Sequence, residues 1–267
     1  MVRCIISLLG RTLAKAVNTV TSVGIALKNK GLKYKDSPVA TLDQVNIDFP
    51  AGQWTVLLGR SGCGKTTLLR YLAGLLDNKL IENGDLTTSD GLPLSHRIAY
   101  MAQQDLLLPW LNVRDNVCLS ARFSNVSLKS QYAKAEQLLK QVGLFEYADT
   151  KPEQLSGGMR QRVALARTLM QQQPIVLMDE PFSALDAVTR HKLQTLAADL
   201  LKDKTVVLIT HDPQEAVRLA DQLYVLQGAP AQARELTVPR SNPPRVLDAE
   251  CAELQQAILD QLEQDYE

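Results

Sequence analysis

The chain has 267 residues, 45% of them hydrophobic and 22% charged, a composition typical of one large soluble domain with at most a small appendage. Its 29 basic and 29 acidic residues give a net charge of zero, so overall charge favours neither nucleic acid nor an anionic membrane as a partner. The sequence contains no run of about 18 apolar residues, so no transmembrane helix is predicted. The four cysteines form no C-x-x-C pair, which favours reduced thiols in the cytosol over a disulfide framework.

The N-terminal segment, residues 1–22, is interpreted as an extension ahead of the folded domain. All charges up to Lys35 are basic and a short apolar run follows Arg3, so a signal or transit peptide is one alternative. A frayed extension or an upstream start codon is the other. We expect the domain to begin near Val23.

Two kinds of strand are predicted in an α/β chain. Residues 26–34 and 42–49 alternate loosely between apolar and polar, which indicates antiparallel strands of an added sheet. Continuous apolar runs at 55–58, 175–178 and 205–209 indicate a mainly parallel sheet that is covered on both faces. Ligands bind at the ends of such strands in open α/β sheets.

The middle of the chain is predicted to be a helical insert, at about residues 104–165. Residues from Tyr132 to Val142 place apolar side chains at helical spacing, Gly143 suits a helix end, and Asn112 suits a helix start. We assign residues 23–228 to one domain that contains this insert. Residues 229–267 form a proline-broken tail that ends in a helix with Leu254, Ile258 and Leu262 on one stripe.

The segment from Gly59 to Thr66 fits the phosphate-binding pattern G-x-x-x-x-G-K-[ST]. It follows a strand and opens a helical run, 67–76, a context that a glycine-rich turn with a chance lysine would not explain. Backbone N–H groups of such a loop surround phosphates, the lysine reaches the β- and γ-phosphates, and the threonine hydroxyl binds Mg²⁺. The predicted nucleotide-binding residues here are Gly59, Arg60, Ser61, Gly62, Cys63, Gly64, Lys65, Thr66 and Thr67.

Two adjacent carboxylates follow the apolar strand that starts at Ile175. Asp179 is placed to hold Mg²⁺, and Glu180 can orient or deprotonate a water beside the γ-phosphate. The alternative is that the pair caps a following helix. We therefore predict bound ATP and Mg²⁺, with Glu180 as a catalytic residue.

A second glycine motif, LSGGMRQR at residues 155–162, also places small residues at a helix start. With the phosphate loop and the carboxylate pair, it makes residues 32–226 resemble the nucleotide-binding subunit of an ATP-binding cassette (ABC) transporter. The motif looks like that family's signature, although Met159 replaces its commonest residue. The resemblance implies a P-loop NTPase core with an added antiparallel β subdomain and a helical insert.

The resemblance also implies roles for single residues. Tyr34 stacks on adenine, against the alternative of an ordinary strand tyrosine. Gln103 contacts Mg²⁺ or the attacking water and is favoured over its neighbour Gln104. His211 approaches the γ-phosphate as the switch histidine. Asp186 contacts the opposite subunit and can cap a helix as well.

The signature residues Ser156, Gly157 and Gly158 face ATP held by a second copy of the chain, so the family resemblance implies a homodimer. It further implies a peripheral ATPase on the cytoplasmic face of the bacterial plasma membrane. Its partners would be separate permease subunits and, indirectly, a periplasmic or lipid-anchored substrate-binding protein, with no role for nucleic acid. Residues 107–110 (LLPW), residues 210–216 (THDPQEA) and the short tail resemble importers of nitrate, sulfonates, taurine or thiamine-precursor pyrimidines.

Two other classes of protein are compatible with part of the pattern. A soluble cassette protein acting on ribosomes or DNA usually carries two cassettes or a long coiled coil in one chain. A P-loop kinase would explain the segment from Gly59 to Thr66 but neither LSGGMRQR nor His211.

Overall fold

The structure is a computed structural model that describes residues 22–123 and 126–265. The predicted extension 1–22, apart from Ser22, lies outside the described residues, as do residues 124–125 and 266–267. Within the described part of the chain, no helix combines the length and apolar character needed to span a bilayer.

Strands and helices alternate along most of the chain. The strands are β1 (Ile25–Tyr34), β2 (Leu42–Phe49), β3 (Trp54–Gly59), β4 (Leu80–Thr88), β5 (Ile98–Met101), β6 (Ile175–Asp179), β7 (Thr205–Ile209), β8 (Gln222–Gln227) and β9 (Gln232–Leu236). The α-helices are α1 (Lys65–Leu72), α2 (Val113–Val117), α3 (Leu128–Gln141), α4 (Gly157–Met170), α5 (Ala187–Leu200), α6 (Pro213–Leu219) and α7 (Ala249–Gln264). Short 3-10 helices cover Leu119–Phe123, Phe145–Tyr147 and Pro152–Gln154.

The central sheet has six strands in the order β5-β6-β7-β3-β8-β9, all parallel except β9, which runs antiparallel to β8. Every residue of β3, β6 and β7 is buried, as their unbroken apolar sequences predict. The register pairs Leu57 with Ile209, and Ile209 in turn with Asp179. The ends of β3, β6 and β7 therefore meet at one edge of the sheet.

A second, antiparallel sheet has the order β2-β1-β4. Along β2, Leu42, Val45, Ile47 and Phe49 are buried while residues between them are exposed or half-buried, the pattern of a sheet with one covered face. The predicted α/β architecture, with a mainly parallel sheet and an added antiparallel sheet, is confirmed.

The helix after the phosphate loop is shorter than the predicted run 67–76. It begins at Lys65 and ends at Leu72. Gly74 follows with φ of +68°, and the N–H of Leu75 bonds back to the carbonyl of Arg70 at 2.9 Å. A glycine in the left-handed region ends helices in this way, so the turn stops α1 early.

Helices α2, α3 and α4 pack together beside the central sheet. Asn112 caps α2 by accepting a hydrogen bond from the N–H of Asp115 at 2.7 Å. Helix α3 buries Ala135, Leu138 and Leu139, and Gly143 follows its end with φ of +68°. Helix α4 starts inside the predicted insert 104–165 and ends five residues beyond it, at Met170.

The C-terminal helix α7 folds back onto the domain. Ile258 is fully buried, and Leu254 and Leu262 pack beside it, as their spacing predicts. The side chain of Gln261 donates to the side chain of Gln227 at the end of β8, at 2.8 Å. The last turn of the helix therefore lies next to the edge of the sheet where β3 ends.

Candidate nucleotide-binding site

The loop between β3 and α1 has the backbone of a phosphate cradle. Gly62 and Gly64 have φ of +85° and +105°, in the left-handed region where a side chain is strained. A Cβ on Gly62 would meet no atom within 4 Å, whereas one on Gly64 would lie 2.8 Å from the Thr41 side chain. The first glycine therefore borders open space and the second allows close packing against the antiparallel sheet.

Lys65 is buried and closes the loop from inside. Its Nζ donates to the carbonyl oxygens of Gly59 at 2.6 Å and Arg60 at 2.8 Å. The ammonium is thus held at the start of α1, where the helix dipole also favours an anion. An incoming phosphate would replace these neutral carbonyl acceptors with negatively charged oxygens.

A cavity of about 250 Å³ lies over this loop. Its lining residues come from the loop, from α1 and from the ends of β5, β6 and β7: Ser61, Gly62, Gly64, Lys65, Thr66, Thr67, Gln103, Glu180 and Ile209. The cavity thus joins two features that the sequence predicts separately, the phosphate loop and Glu180 of the carboxylate pair.

Asp179 fits a cation site. The residue is buried, and its Oδ2 atom has no hydrogen-bond partner. Burial raises the pKa of Asp179, and a hydrogen bond with Thr66 opposes that rise. An unpaired buried carboxylate oxygen is costly, and a hard cation such as Mg²⁺ would satisfy it. The described residues contain no cluster of three or more acidic, histidine or cysteine ligands, so phosphate oxygens and water would complete the shell.

Glu180 has an unusual backbone and a crowded carboxylate. Its φ is +49°, which is uncommon for a residue with a side chain, and its N–H bonds to the carbonyl of Ile209 at 2.9 Å. Its Oε2 atom accepts from Nε2 of Gln103 at 3.2 Å and lies 3.2 Å from Nδ1 of His211. Three predicted catalytic residues from three strand ends therefore meet at one oxygen.

Two residues outside the predicted catalytic set hold the backbone of Glu180. The buried side chain of Gln161, on α4, donates to the Glu180 carbonyl at 3.5 Å, and the Ser183 hydroxyl donates to it at 3.0 Å. Gln161 belongs to LSGGMRQR, but only its contact reveals this role. Helix α4 is thereby attached to the backbone of Glu180 at the lip of the cavity.

The signature motif itself lies elsewhere. Ser156 caps α4 by accepting from the N–H of Met159 at 3.3 Å, and Ser156 and Gly157 are exposed. Gly158 is packed more closely, since a Cβ there would lie 3.2 Å from the carbonyl oxygen of Ala184. Neither Ser156 nor the two glycines line the cavity over the phosphate loop. Within one chain, the two anion-binding features are separate.

Asp186 caps α5 by accepting a hydrogen bond from the N–H of Thr189 at 3.0 Å. This backbone bond lowers the pKa of Asp186. The residue is exposed, so the cap leaves it accessible for the predicted contact with a second subunit.

Tyr34 lies next to α1 and is half-buried, with its hydroxyl 3.3 Å from Oγ1 of Thr67. The ring is thus close to the phosphate loop, which is compatible with base stacking.

Cys63 differs from the exposed loop residues around it, because its thiol is buried and lies 3.7 Å from Nζ of Lys65. The thiol therefore packs inside the loop and is not exposed to a ligand in the cavity.

The end of α7 reaches the phosphate loop, a contact that the sequence does not predict. Arg60 donates to the carbonyl oxygen of Asp265 at 2.5 Å, and the Asp265 side chain accepts from the N–H of Gly228 at 2.8 Å. The C-terminal helix is therefore attached to the second residue of the loop.

Comparison with known proteins gives consistent matches along most of the chain. A profile described as ABC transporter matches residues 42–183. The aliphatic sulfonates import ATP-binding protein SsuB 1 of Xanthomonas axonopodis pv. citri is 42% identical over 250 residues, covering 91% of this chain and 96% of that protein. The taurine import ATP-binding protein TauB of Pseudomonas aeruginosa is 38% identical over 256 residues, covering 91% of this chain and 94% of that protein.

Solved structures match as well. The dimeric, post-hydrolysis state of the ATP-binding cassette MJ0796 bound to ADP and Pi superimposes with a TM-score of 0.70 at 32% identity. The match covers 81% of this chain and 100% of that chain.

Proposed function

The chain belongs to the ABC transporter family and is an ATP-hydrolysing subunit, and we propose that it drives a bacterial importer of a small solute. The observation that carries the proposal is the convergence of Gln103, Glu180 and His211 on one oxygen beside the phosphate loop. This arrangement supports hydrolysis of ATP rather than phosphate storage or transfer to an acceptor.

The phosphate loop binds the nucleotide. Its backbone N–H groups and the N-terminus of α1 face the phosphates, Lys65 neutralises the β- and γ-phosphates, and Tyr34 offers its ring to the base. Thr66 and Asp179 would hold Mg²⁺, with Gln103 approaching the same ion from the end of β5. When bound, Mg²⁺ supplies positive charge that stabilises the phosphate oxygens during transfer.

Hydrolysis uses the residues at the lip of the cavity. Glu180 accepts a proton from a water whose oxygen attacks the γ-phosphorus, and the bond from that phosphorus to the β–γ bridging oxygen breaks. The products are ADP and inorganic phosphate. His211 contacts the γ-phosphate and fixes the Glu180 carboxylate, and Gln103 orients the water.

A second copy of the chain completes the site. The exposed turn at Ser156 and Gly157 offers N–H groups and a helix N-terminus, but the cavity of its own chain lies elsewhere. A two-fold dimer would place this turn of each copy on the γ-phosphate bound by the other. ATP would then join the copies, and hydrolysis at Glu180 would release them.

The remaining partners lie at the membrane. We propose that the chain sits on the cytoplasmic face of the plasma membrane against separate permease subunits, served by a periplasmic or lipid-anchored binding protein. The relatives named for sulfonates and taurine support a sulfonate-type solute, with nitrate and thiamine-precursor pyrimidines as the other candidates.

Deletion of this chain, followed by uptake assays with each labelled solute, tests the proposal. We expect uptake of one solute to disappear and to return with the wild-type chain but not with Lys65→Ala. Unchanged uptake of all four, together with co-purification of the chain with ribosomes, would contradict it.

A further inference from the structure

Outside the nucleotide cavity, one carboxylate is almost fully buried. Glu215 lies on α6 with only 5% of the residue exposed. It does not line the cavity, and the hydrolysis described above does not use it. A carboxylate in such a place is costly unless each oxygen has a partner.

Both oxygens of Glu215 have partners, and one partner belongs to the loop that carries the switch histidine. Oε2 accepts from the hydroxyl of Thr210, and Oε1 accepts from Nε2 of Gln194 at 3.1 Å. The same Thr210 oxygen accepts from the N–H of Asp212 at 3.1 Å. One hydroxyl therefore joins the residue before His211 to the residue after it, and Glu215 fixes that hydroxyl from within the core.

The carboxylate is held on its far side by α5. Oε1 of Gln194 accepts from Nη1 of Arg218 at 3.2 Å, so the orientation of the Gln194 amide is determined from both ends. Nη2 of Arg218 also donates to Oγ1 of Thr195 at 3.0 Å and lies 3.2 Å from Nε2 of His191. The guanidinium of Arg218 therefore interacts with Glu215 only indirectly, through the neutral side-chain amide of Gln194.

Two charged groups near Glu215 act on its pKa in opposite directions. Asp212 raises the pKa of Glu215 and Arg190 lowers it, and these two residues pair with each other at 3.1 Å. Burial is the largest influence and raises the pKa of Glu215 to about 7, against the hydrogen bonds from Thr210 and Gln194. Glu215 itself makes its two side-chain contacts with the neutral groups of Thr210 and Gln194.

The side chain of His211 has few contacts of its own that could fix its position. Its side chain is 65% exposed and meets Glu180 at 3.2 Å. An exposed ring on a loop takes its position from the backbone on either side, and a displacement of about 1 Å at a reacting group can reduce a rate a hundredfold. Here that backbone is held by Thr210 and Asp212.

We propose that Glu215 is a positioning residue for ATP hydrolysis: through the Thr210 hydroxyl it holds the 210–212 loop so that His211 meets Glu180. The inference rests on the proposed role of His211. It assigns no contact between Glu215 and the nucleotide.

Thr210→Val tests the proposal because it keeps the shape of the side chain and removes the hydroxyl. We expect kcat for ATP hydrolysis to fall about tenfold to a hundredfold, with KM for ATP changed less than about twofold. Thr210→Ser restores the hydroxyl and should restore kcat. Thr195→Val is the matched control, since it removes a hydroxyl from the far end of the same network and should leave kcat unchanged.

A double-mutant cycle separates positioning from general packing. In a His211→Ala background, Thr210→Val should lower kcat no further, because the residue being positioned is gone. Equal losses in both backgrounds, an equal loss from Thr195→Val, or normal kcat in Thr210→Val would each overturn the inference. If Thr210→Val does not fold, Glu215→Leu, which removes both acceptor oxygens, enters the same cycle with the same criteria.

The cycle also distinguishes this inference from the proposed function. Normal hydrolysis by His211→Ala would contradict the role of His211, and the inference would fail with it. Loss of hydrolysis in His211→Ala combined with normal hydrolysis in Thr210→Val would contradict the inference alone.

Discussion

Burial of the Glu215 carboxyl predicts how the free energy of unfolding depends on pH. Its pKa lies at about 7, above its ordinary value of 4.5, so the folded chain binds this proton more tightly than the unfolded chain does. The resulting stabilisation is fully present below pH 4.5 and is lost as the pH rises through 7. Glu215→Gln removes the titration and keeps the size of the side chain.

The size of this effect on stability follows from the rise of the Glu215 pKa from 4.5 to about 7. At about 1.36 kcal/mol per unit, and leaving out the part of the change that falls below pH 5, the free energy of unfolding of the wild-type chain should fall by about 2–3 kcal/mol relative to Glu215→Gln between pH 5 and pH 8. Other titrating groups are common to both proteins and cancel in the difference.

Urea unfolding of both proteins at pH 5, 6, 7 and 8 measures this difference. We expect it to change most steeply between pH 5 and pH 7 and to level off by pH 8. A difference that is independent of pH would show that the group does not titrate in this range. A wild-type chain that gains on the variant as pH rises would show that Thr210 and Gln194 stabilise the carboxylate more than burial penalises it.

Two further substitutions test the proposed chemistry and the local structure. Glu180→Gln should reduce ATP hydrolysis about 10²–10⁴-fold, because it removes the general base, while ATP-dependent dimers accumulate in size-exclusion chromatography; hydrolysis at the normal rate would assign the base elsewhere. Asn112→Ala should lower the free energy of unfolding by about 1 kcal/mol through loss of the α2 cap, whereas Ser127→Ala, at a helix start where the side chain makes no capping bond, should leave it unchanged. Equal effects of the two alanine substitutions in urea unfolding would contradict the assigned cap.

The central sheet could be predicted because its strands are buried on both faces. The run from Ile175 to Met178 has no polar residue, and hydrophobicity alone identifies it as a core strand. The helix end at Leu72 could not be placed in the same way, because apolar residues continue to Leu76. It is set by the left-handed turn at Gly74, and the predicted helical run passed through that glycine.

In the candidate site, too, some residues could be predicted from the sequence and others could not. Local motifs mark Lys65 and Asp179, because a phosphate loop or a strand end needs those residues in that order along the chain. Contacts between distant segments leave no local mark. Arg60 and Asp265 are 205 positions apart, and Gln161 reaches the Glu180 carbonyl, which follows β6, from helix α4. Nothing in the spacing of these residues indicates that they touch.

Because Ser156 lies apart from the cavity of its own chain, we propose that two copies of the chain complete each ATP site. Mixing two defective chains tests it most directly. Lys65→Ala disables the phosphate loop. Ser156→Asp keeps a capping side chain and adds a negative charge where the γ-phosphate of the partner must lie, with Ser156→Asn as the neutral control.

Each variant alone should hydrolyse ATP poorly. In an equal mixture, about half of the dimers would contain one chain of each kind and one complete site of two, so about a quarter of wild-type activity should return. Activity that stays at the sum of the two separate variants, although both chains still pair, would contradict the account and return the signature turn to a role within its own subunit.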